Sequence, residues 1–219
     1  DIGGESTRPG APKVTADEEI RRVVPVIERL KAELNIPLSI DTYKAEVAEA
    51  AVQAGANLLN DVWGLKRDHR LAEVAARHSL PIVITSSQRD VPVSNIMPAI
   101  INSLKWAIEQ AEAAGVLPEN IIIDPGFGFG KTVGQNLELL RRIGELRQLG
   151  KPILLGTSRK SAIGKVLRGA LVEDRLMGTV ATTVIGIMEG VDIVRVHDIK
   201  ENIQAAEMSD AVLRGWHDD

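Results

Sequence analysis

No cysteine occurs among the 219 residues, which excludes disulfides, thiolate chemistry and cysteine-based metal sites. A chain free of cysteine fits a cytoplasmic protein. Aromatic residues are scarce at 3% against 44% hydrophobic, so the core has to be built from Leu, Ile, Val and Ala. There is no excess of basic charge: 26 Lys and Arg face 30 Asp and Glu, a net charge of −4. Nonspecific partners that select basic surfaces, nucleic acid and anionic membranes, are therefore not expected. An anionic ligand would have to be held by locally placed cations. No apolar run approaches the roughly 18–20 residues of a membrane span. The four histidines, His69, His78, His197 and His217, show no paired metal-ligand spacing, so no metal site is assigned to the chain.

What is present is a regular alternation of strands and helices. Thr15-Ala16-Asp17-Glu18 reads as a capping box opening an amphipathic helix that contains Pro25. "IPLSID", "ANLLND", "LPIVIT", "NIIID", "KPILLG" and "DIVRVHD" read as strands separated by helical segments, one of them from about Asn136 to Gln148. Asp1-Ile2 reads as the closing end of a further strand. Near-continuous apolar strands between helices imply right-handed βαβ units and a parallel sheet covered on both faces. No linker or shift of composition divides the chain, which is expected to form a single domain over 1–219.

The strands end in turn on Asp1, Asp41, Asn60-Asp61, Thr85, Asp124, Thr157-Ser158 and Arg195-His197. An open sheet would bring only the strands beside its switch point to a ligand, whereas a barrel opens all strand C-termini onto one face. Polar endings throughout favour a (β/α)8 barrel. Asp, Asn and Thr after a strand also serve as caps and turn formers, which accounts for Thr42 and Asp61. It does not account for Arg195 and His197 within an apolar strand. With six strands after Asp1-Ile2, the barrel is expected to lack its first strand, first loop and most of its second strand. The chain is thus expected to be N-terminally incomplete, and on its own poorly folded or nearly inactive.

Two glycine-rich turns invite comparison with phosphate loops. In "GFGFGKT" only three residues separate Gly126 from Gly130 where a Walker loop has four, and Pro125 lacks the N–H that a phosphate cradle uses. That reading fails. "GTSRKS" at 156–161 presents two hydroxyls and two cations directly after a strand.

Six blocks in order, "DIGGESTRPGA", "IDT", "AGANLLNDVWG", "DPGFGFGK", "SRKS" and "RVHD", resemble the dihydropteroate synthase family over the whole chain. The resemblance implies a transferase of folate biosynthesis and a target of sulfonamides. It would condense 6-hydroxymethyl-7,8-dihydropterin pyrophosphate with p-aminobenzoate. It implies pterin contacts from Asp41, Asn60, Asp124, Lys160 and Arg195, and a p-aminobenzoate pocket of Thr7, Arg8, Pro9, Phe129 and Ser158. Pyrophosphate would lie against Arg8, Arg195 and His197, with Lys160, Arg195 and His197 as the catalytic set. The residue types suit these roles. A buried carboxylate matches adjacent ring N–H groups with two parallel hydrogen bonds, and a guanidinium stays charged beside a phosphate. Magnesium usually accompanies the pyrophosphate, its expected protein ligand lying upstream of residue 1, and the family commonly forms homodimers. One departure stands out: "ITSSQRD" at 84–90 replaces the family's Met-His pair with small polar residues. A methyltetrahydrofolate-dependent methyltransferase, which uses a similar barrel, and an inactive pterin-binding homologue or fragment remain as alternatives.

Overall fold

A computed structural model of the chain describes residues 1–7, 10–90 and 92–216. They divide into two compact units, the first comprising 1–85 with 104–122 and the second 86–103 with 123–219.

In the first unit, β1 (Ser39–Asp41), β2 (Leu58–Asp61) and β3 (Ile82–Thr85) form a parallel ladder that pairs Asp41 with Asn60 and Asn60 with Val83. β4 (Ile121–Asp124) is the next strand of this sheet. Ile2 bridges Ile40 in parallel, through Ile2 N–H to Ser39 O at 2.8 Å and Asp41 N–H to Ile2 O at 2.7 Å. Ile2 is thus paired beside β1 in the parallel sense. Ile40, Leu59, Ile82, Val83 and Ile84 are buried, as a sheet covered on both faces requires. The cover includes α1 (Ala16–Glu33) packed on α2 (Ala45–Ala54), then α3 (Arg70–Arg77) and the later part of α4 (Ile96–Ala113). The box before α1 is only half made. The Thr15 hydroxyl accepts the Glu18 N–H at 3.3 Å, but the Glu18 carboxylate turns to Arg21 and Arg22 at 2.6 and 2.9 Å. Pro25 is accommodated inside the helix, whose Val23 and Ile27 are buried.

In the second unit Ile123 bridges Ile153, and β5 (Leu154–Leu155) pairs in parallel with β6 (Ile193–Val194). The helices are α5 (Val133–Arg141), α6 (Ser161–Val166), α7 (Leu176–Met188) and α8 (Ile199–Arg214), with α7 packed on α8. Two expectations are corrected here. The helix expected over 136–148 begins earlier, on the Thr132–Gln135 capping box, and ends at Arg141; a 3-10 segment, Ile143–Leu149, follows it. Gly144 lies at that change, against the Glu189 carbonyl. Arg195 and His197 are not inside a strand: the ladder's last bond is Arg195 N–H to Leu155 O at 3.0 Å, and both residues lie past the end of β6.

Six strands and the Ile2 bridge are the number that the alternation predicts from Asp1 onward. No pairing among the described residues closes them into a ring. None of the described helices is long and apolar enough to cross a membrane.

Candidate active site

Period-two geometry puts Ser39, which opens β1, on one face with Asp41 and Asn60 toward the C-terminal ends of β1 and β2. Asp1 joins them, accepting the Ser39 hydroxyl at 2.6 Å and the Asn60 side-chain N–H at 3.0 Å. The Asn60 amide is thereby oriented, its donor end committed to Asp1. Asp61, next along, is fully buried but serves the turn: its two oxygens accept the N–H groups of Trp63 at 2.8 Å and Leu65 at 2.5 Å. Burial pushes its carboxyl up to about 6, against the pull of those N–H groups. The Thr42 hydroxyl likewise accepts Lys44 N–H at 3.2 Å. Both behave as turn formers, as expected.

The opening loop is anchored by residues that the sequence did not single out. Lys44 Nζ donates to the carboxylates of Glu5 and Glu19 and, at 2.7 Å, to the Val14 carbonyl. Tyr43 OH reaches Glu5 at 3.3 Å. Glu19 is only 1% exposed, so its charge depends on the ammonium. Glu5 and Val14 thus tie both ends of the stretch carrying Ser6 and half-buried Thr7 to one ammonium. Arg8 and Pro9, assigned to the arylamine and pyrophosphate, lie outside the described residues, as does His217.

In the second unit Asp124 ends β4, 6% exposed, with Oδ1 accepting Gly126 N–H at 2.7 Å. Burial raises its pKa; Lys160, the Gly126 N–H, Lys131 and Arg195 pull the other way. Lys160 and Arg195, both predicted to work with Asp124, are therefore within electrostatic reach of it. Lys160 Nζ donates to the Phe127 carbonyl and stands 4.4 Å from the centre of the Phe129 ring. Its stem passes Gly128, whose backbone is left-handed (φ 82°) and where a Cβ would come within 3.0 Å of Lys160 Cδ. The loop is held by buried Asn136, which accepts Gly128 N–H at 2.6 Å and donates to the Lys131 and Thr132 carbonyls. Lys131 is no phosphate lysine. Its Nζ donates to the carbonyls of Gly126, Ser86 and Phe129 at 2.8, 3.0 and 3.4 Å.

Ser158 and His197 meet directly. The buried hydroxyl lies 2.8 Å from His197 Nδ1 and accepts the His197 backbone N–H at 3.1 Å. Arg159, between two predicted residues, joins the "SRK" and "RVHD" blocks by pairing with Asp198 through Nε at 2.9 Å and through Nη2. Those hydrogen bonds hold the Asp198 carboxyl below its usual range. Arg89 also escaped the sequence reading: its guanidinium carbon lies 4.3 Å from the Phe129 ring centre. No motif signalled Glu5, Lys44 or Arg89, because each acts on a partner distant in sequence; Asn136 acts on the loop just before it, at separations of 8, 5 and 4 residues. Among the described residues no group of three or more His, Asp or Glu could hold a metal ion.

A buried carboxylate ringed by cations, at the ends of parallel strands, defines an α/β enzyme for a flat, nitrogen-rich ring that carries an anion. Residues 1–197 match the family model described as pterin binding enzyme, and the chain belongs to that family. Within it the relatives are dihydropteroate synthases. The protein of Clostridium beijerinckii is 54% identical over 215 residues, 98% of this chain and 80% of its own length. That of Bacillus subtilis is 49% identical, over 97% of this chain and 74% of its own. The dihydropteroate synthase of Clostridium difficile, solved in the presence of pteroic acid, superposes with a TM-score of 0.94 at 55% identity, over 97% of this chain and 81% of that one. The Xanthomonas albilineans synthase with 4-aminobenzoic acid gives 0.92 at 42%, over 96% and 77%. The fold is therefore that of these synthases, the (β/α)8 class expected from the strand endings.

Proposed function

We infer that the chain is a dihydropteroate synthase, a transferase that joins 6-hydroxymethyl-7,8-dihydropterin pyrophosphate to p-aminobenzoate and releases pyrophosphate. The observation that carries this reading is Asp124, a buried carboxylate on a strand end with Lys160, Lys131 and Arg195 acting on it. A carboxylate there offers two acceptors to the amino-pyrimidinone edge of the pterin. Lys160 supplies a donor to the ring carbonyl and N5 side. Asp41 and the Asn60 amide are likewise assigned to pterin binding.

The reaction proceeds by loss of the leaving group first. The bond from methylene carbon to pyrophosphate oxygen breaks with its electron pair leaving on oxygen. The dihydropterin ring stabilises the methylene cation, and the arylamine nitrogen then forms the new C–N bond and releases a proton. No protein nucleophile is needed, so the protein works by charge stabilisation and positioning. Arg195 and His197 are assigned to the leaving pyrophosphate, together with Arg8. Phe129, Ser158, Thr7, Arg8 and Pro9 are assigned to the arylamine. Since the Ser158 hydroxyl already accepts the His197 backbone N–H, it has one proton left to give, to His197 Nδ1 or to the arylamine carboxylate.

The family model runs through both compact units, which supports one functional domain over 1–219. A cytoplasmic location accords with a cysteine-free chain. We assign the outer faces of α7 and α8, where Met177, Met188, Met208 and Val212 are exposed, with Trp216 just past the end of α8, to a homodimer contact. The test of function is direct: purified protein is given pterin pyrophosphate, p-aminobenzoate and magnesium, and dihydropteroate is followed with time. Product formation is expected. Tight pterin binding without any product would identify an inactive homologue instead.

A further inference from the structure

The segment after β3 and the glycine-rich loop after β4 are laced together through their backbones. Gln88 N–H donates to the Phe129 carbonyl at 3.2 Å, and the Lys131 ammonium ties the carbonyls of Ser86 and Phe129. Gly130, left-handed at φ 70°, lies so near that a Cβ would run into the Gln88 carbonyl and the Arg89 nitrogen. Arg89 is therefore not a surface side chain on an unanchored loop. Its backbone is fixed beside Phe129, its Nη1 is removed from solvent, and its guanidinium carbon is 4.3 Å from the ring centre.

Lys160 Nζ stands 4.4 Å from the same ring centre. Two cations are thus gathered on one phenyl group and can be no further apart than the sum of those two distances. Cations placed so repel each other, and an anion beside the ring relieves that repulsion. On the functional reading above, Lys160 is already assigned to the pterin and Arg195 to pyrophosphate. Phe129 is assigned to the ring of the arylamine, whose carboxylate lies across that ring from the reacting nitrogen. Among the described residues no charged donor has been assigned to that carboxylate. The one neutral group so far assigned to it, the Ser158 hydroxyl, is shared with His197. A guanidinium beside Phe129 can meet a carboxylate with two parallel N–H bonds.

We propose that Arg89 is a further substrate-binding residue, which selects p-aminobenzoate by its carboxylate. The proposal rests on the synthase reading but is tested apart from it. With Arg89→Gln in the full chain, the KM for p-aminobenzoate is expected to rise on the order of tenfold or more. The KM for pterin pyrophosphate should stay within about twofold. Arg89→Lys, which keeps the charge and loses the fork, should fall between wild type and Arg89→Gln. Turnover of 4-aminobenzamide, which has no carboxylate, should differ little between wild type and variant. Calorimetry needs no turnover: pteroic acid should bind the Gln variant on the order of tenfold more weakly, and 6-hydroxymethylpterin about equally. Equal losses for the acid and the amide would make Arg89 structural, and a rise confined to the pterin pyrophosphate KM would make it a leaving-group residue. Either result, or unchanged p-aminobenzoate and pteroate parameters, overturns the proposal. Failure of wild type to turn over would count against the synthase reading alone, because the two binding measurements still decide Arg89.

Discussion

Replacing Asp124 by Asn separates the pterin seat from the fold. Asp124 is buried, and its Oδ1 accepts Gly126 N–H at 2.7 Å. Asparagine can keep that bond through its own oxygen, so the turn into the glycine-rich loop survives. The other oxygen becomes an NH2 group, and a donor then faces the ring N–H where an acceptor is required. Loss of one charge-assisted bond costs about 1.5–3 kcal/mol, which is roughly tenfold to a hundredfold in affinity. Stability should move the other way. Burial raises the Asp124 pKa despite Lys160, Lys131 and Arg195, so ionising the carboxyl costs more in the folded state than in the unfolded chain. A raised carboxyl contributes stability below its unfolded pKa and loses it as pH rises through the folded value. Wherever the group is ionised it therefore opposes folding, and a neutral amide removes that opposition. Calorimetry with a pterin analogue and a thermal melt, run on wild type and Asp124→Asn, should show weakened binding with a melting midpoint no lower than wild type. Wild-type affinity in the variant would refute the assignment. A lowered midpoint accompanying the lost affinity would mean that Asp124 holds the loop rather than the ligand.

Removing the Arg195 side chain should weaken binding of pterin pyrophosphate more than of the pterin without that group; equal losses would reduce Arg195 to stacking on the ring. Lys131→Met strips a donor from three loop carbonyls and should destabilise the protein by about 1–3 kcal/mol in urea titrations. Inhibition by pyrophosphate should be unaltered, because this ammonium faces backbone oxygens. Asp61, pushed from 3.8 to about 6, makes stability fall as pH rises from about 4 to above 6. About two pKa units correspond to roughly 3 kcal/mol. Denaturant midpoints across that range should therefore show a flatter profile for Asp61→Asn than for wild type, and parallel profiles would remove Asp61 from the account.

The strand endings were legible because parallel strands concentrate ligand groups at one end. Asp1, Asp41, Asn60 and Asp124 all end strands or the bridge that the alternation marks. Thr42 and Asp61 were legible as turn formers for the opposite reason: each bonds a backbone N–H two residues on, a local geometry that sequence spacing reports. The half-made cap at Thr15 shows the limit of local rules. Spacing sets Glu18 three residues on, but Arg21 and Arg22 compete for its carboxylate. Arg195 and His197 were placed within a strand because their stretch alternates like one. The ladder stops with the backbone bond of Arg195 to Leu155, a matter of the partner strand's length that "DIVRVHD" does not contain.

The residues that escaped are those whose partner lies far along the chain. Lys44 precedes a helix and looks like any solvated lysine, until Glu5 and Glu19 arrive from 39 and 25 residues away. Lys131 looks like a phosphate lysine until its ammonium is found on carbonyls, one of them Ser86, 45 residues back. Both are cations consumed by the scaffold. Composition counts them with the others, so 26 basic residues say nothing about how many are left for an anionic substrate. The structure sorts them by what they touch. Lys44 and Lys131 hold loops, Arg159 is paired with Asp198, and Lys160, Arg195 and Arg89 stand at Asp124 or on Phe129. A net charge of −4 therefore does not argue against an anionic substrate, because the local placement matters: Arg89 and Lys160 share the Phe129 ring, and Lys160 and Arg195 act on the buried Asp124.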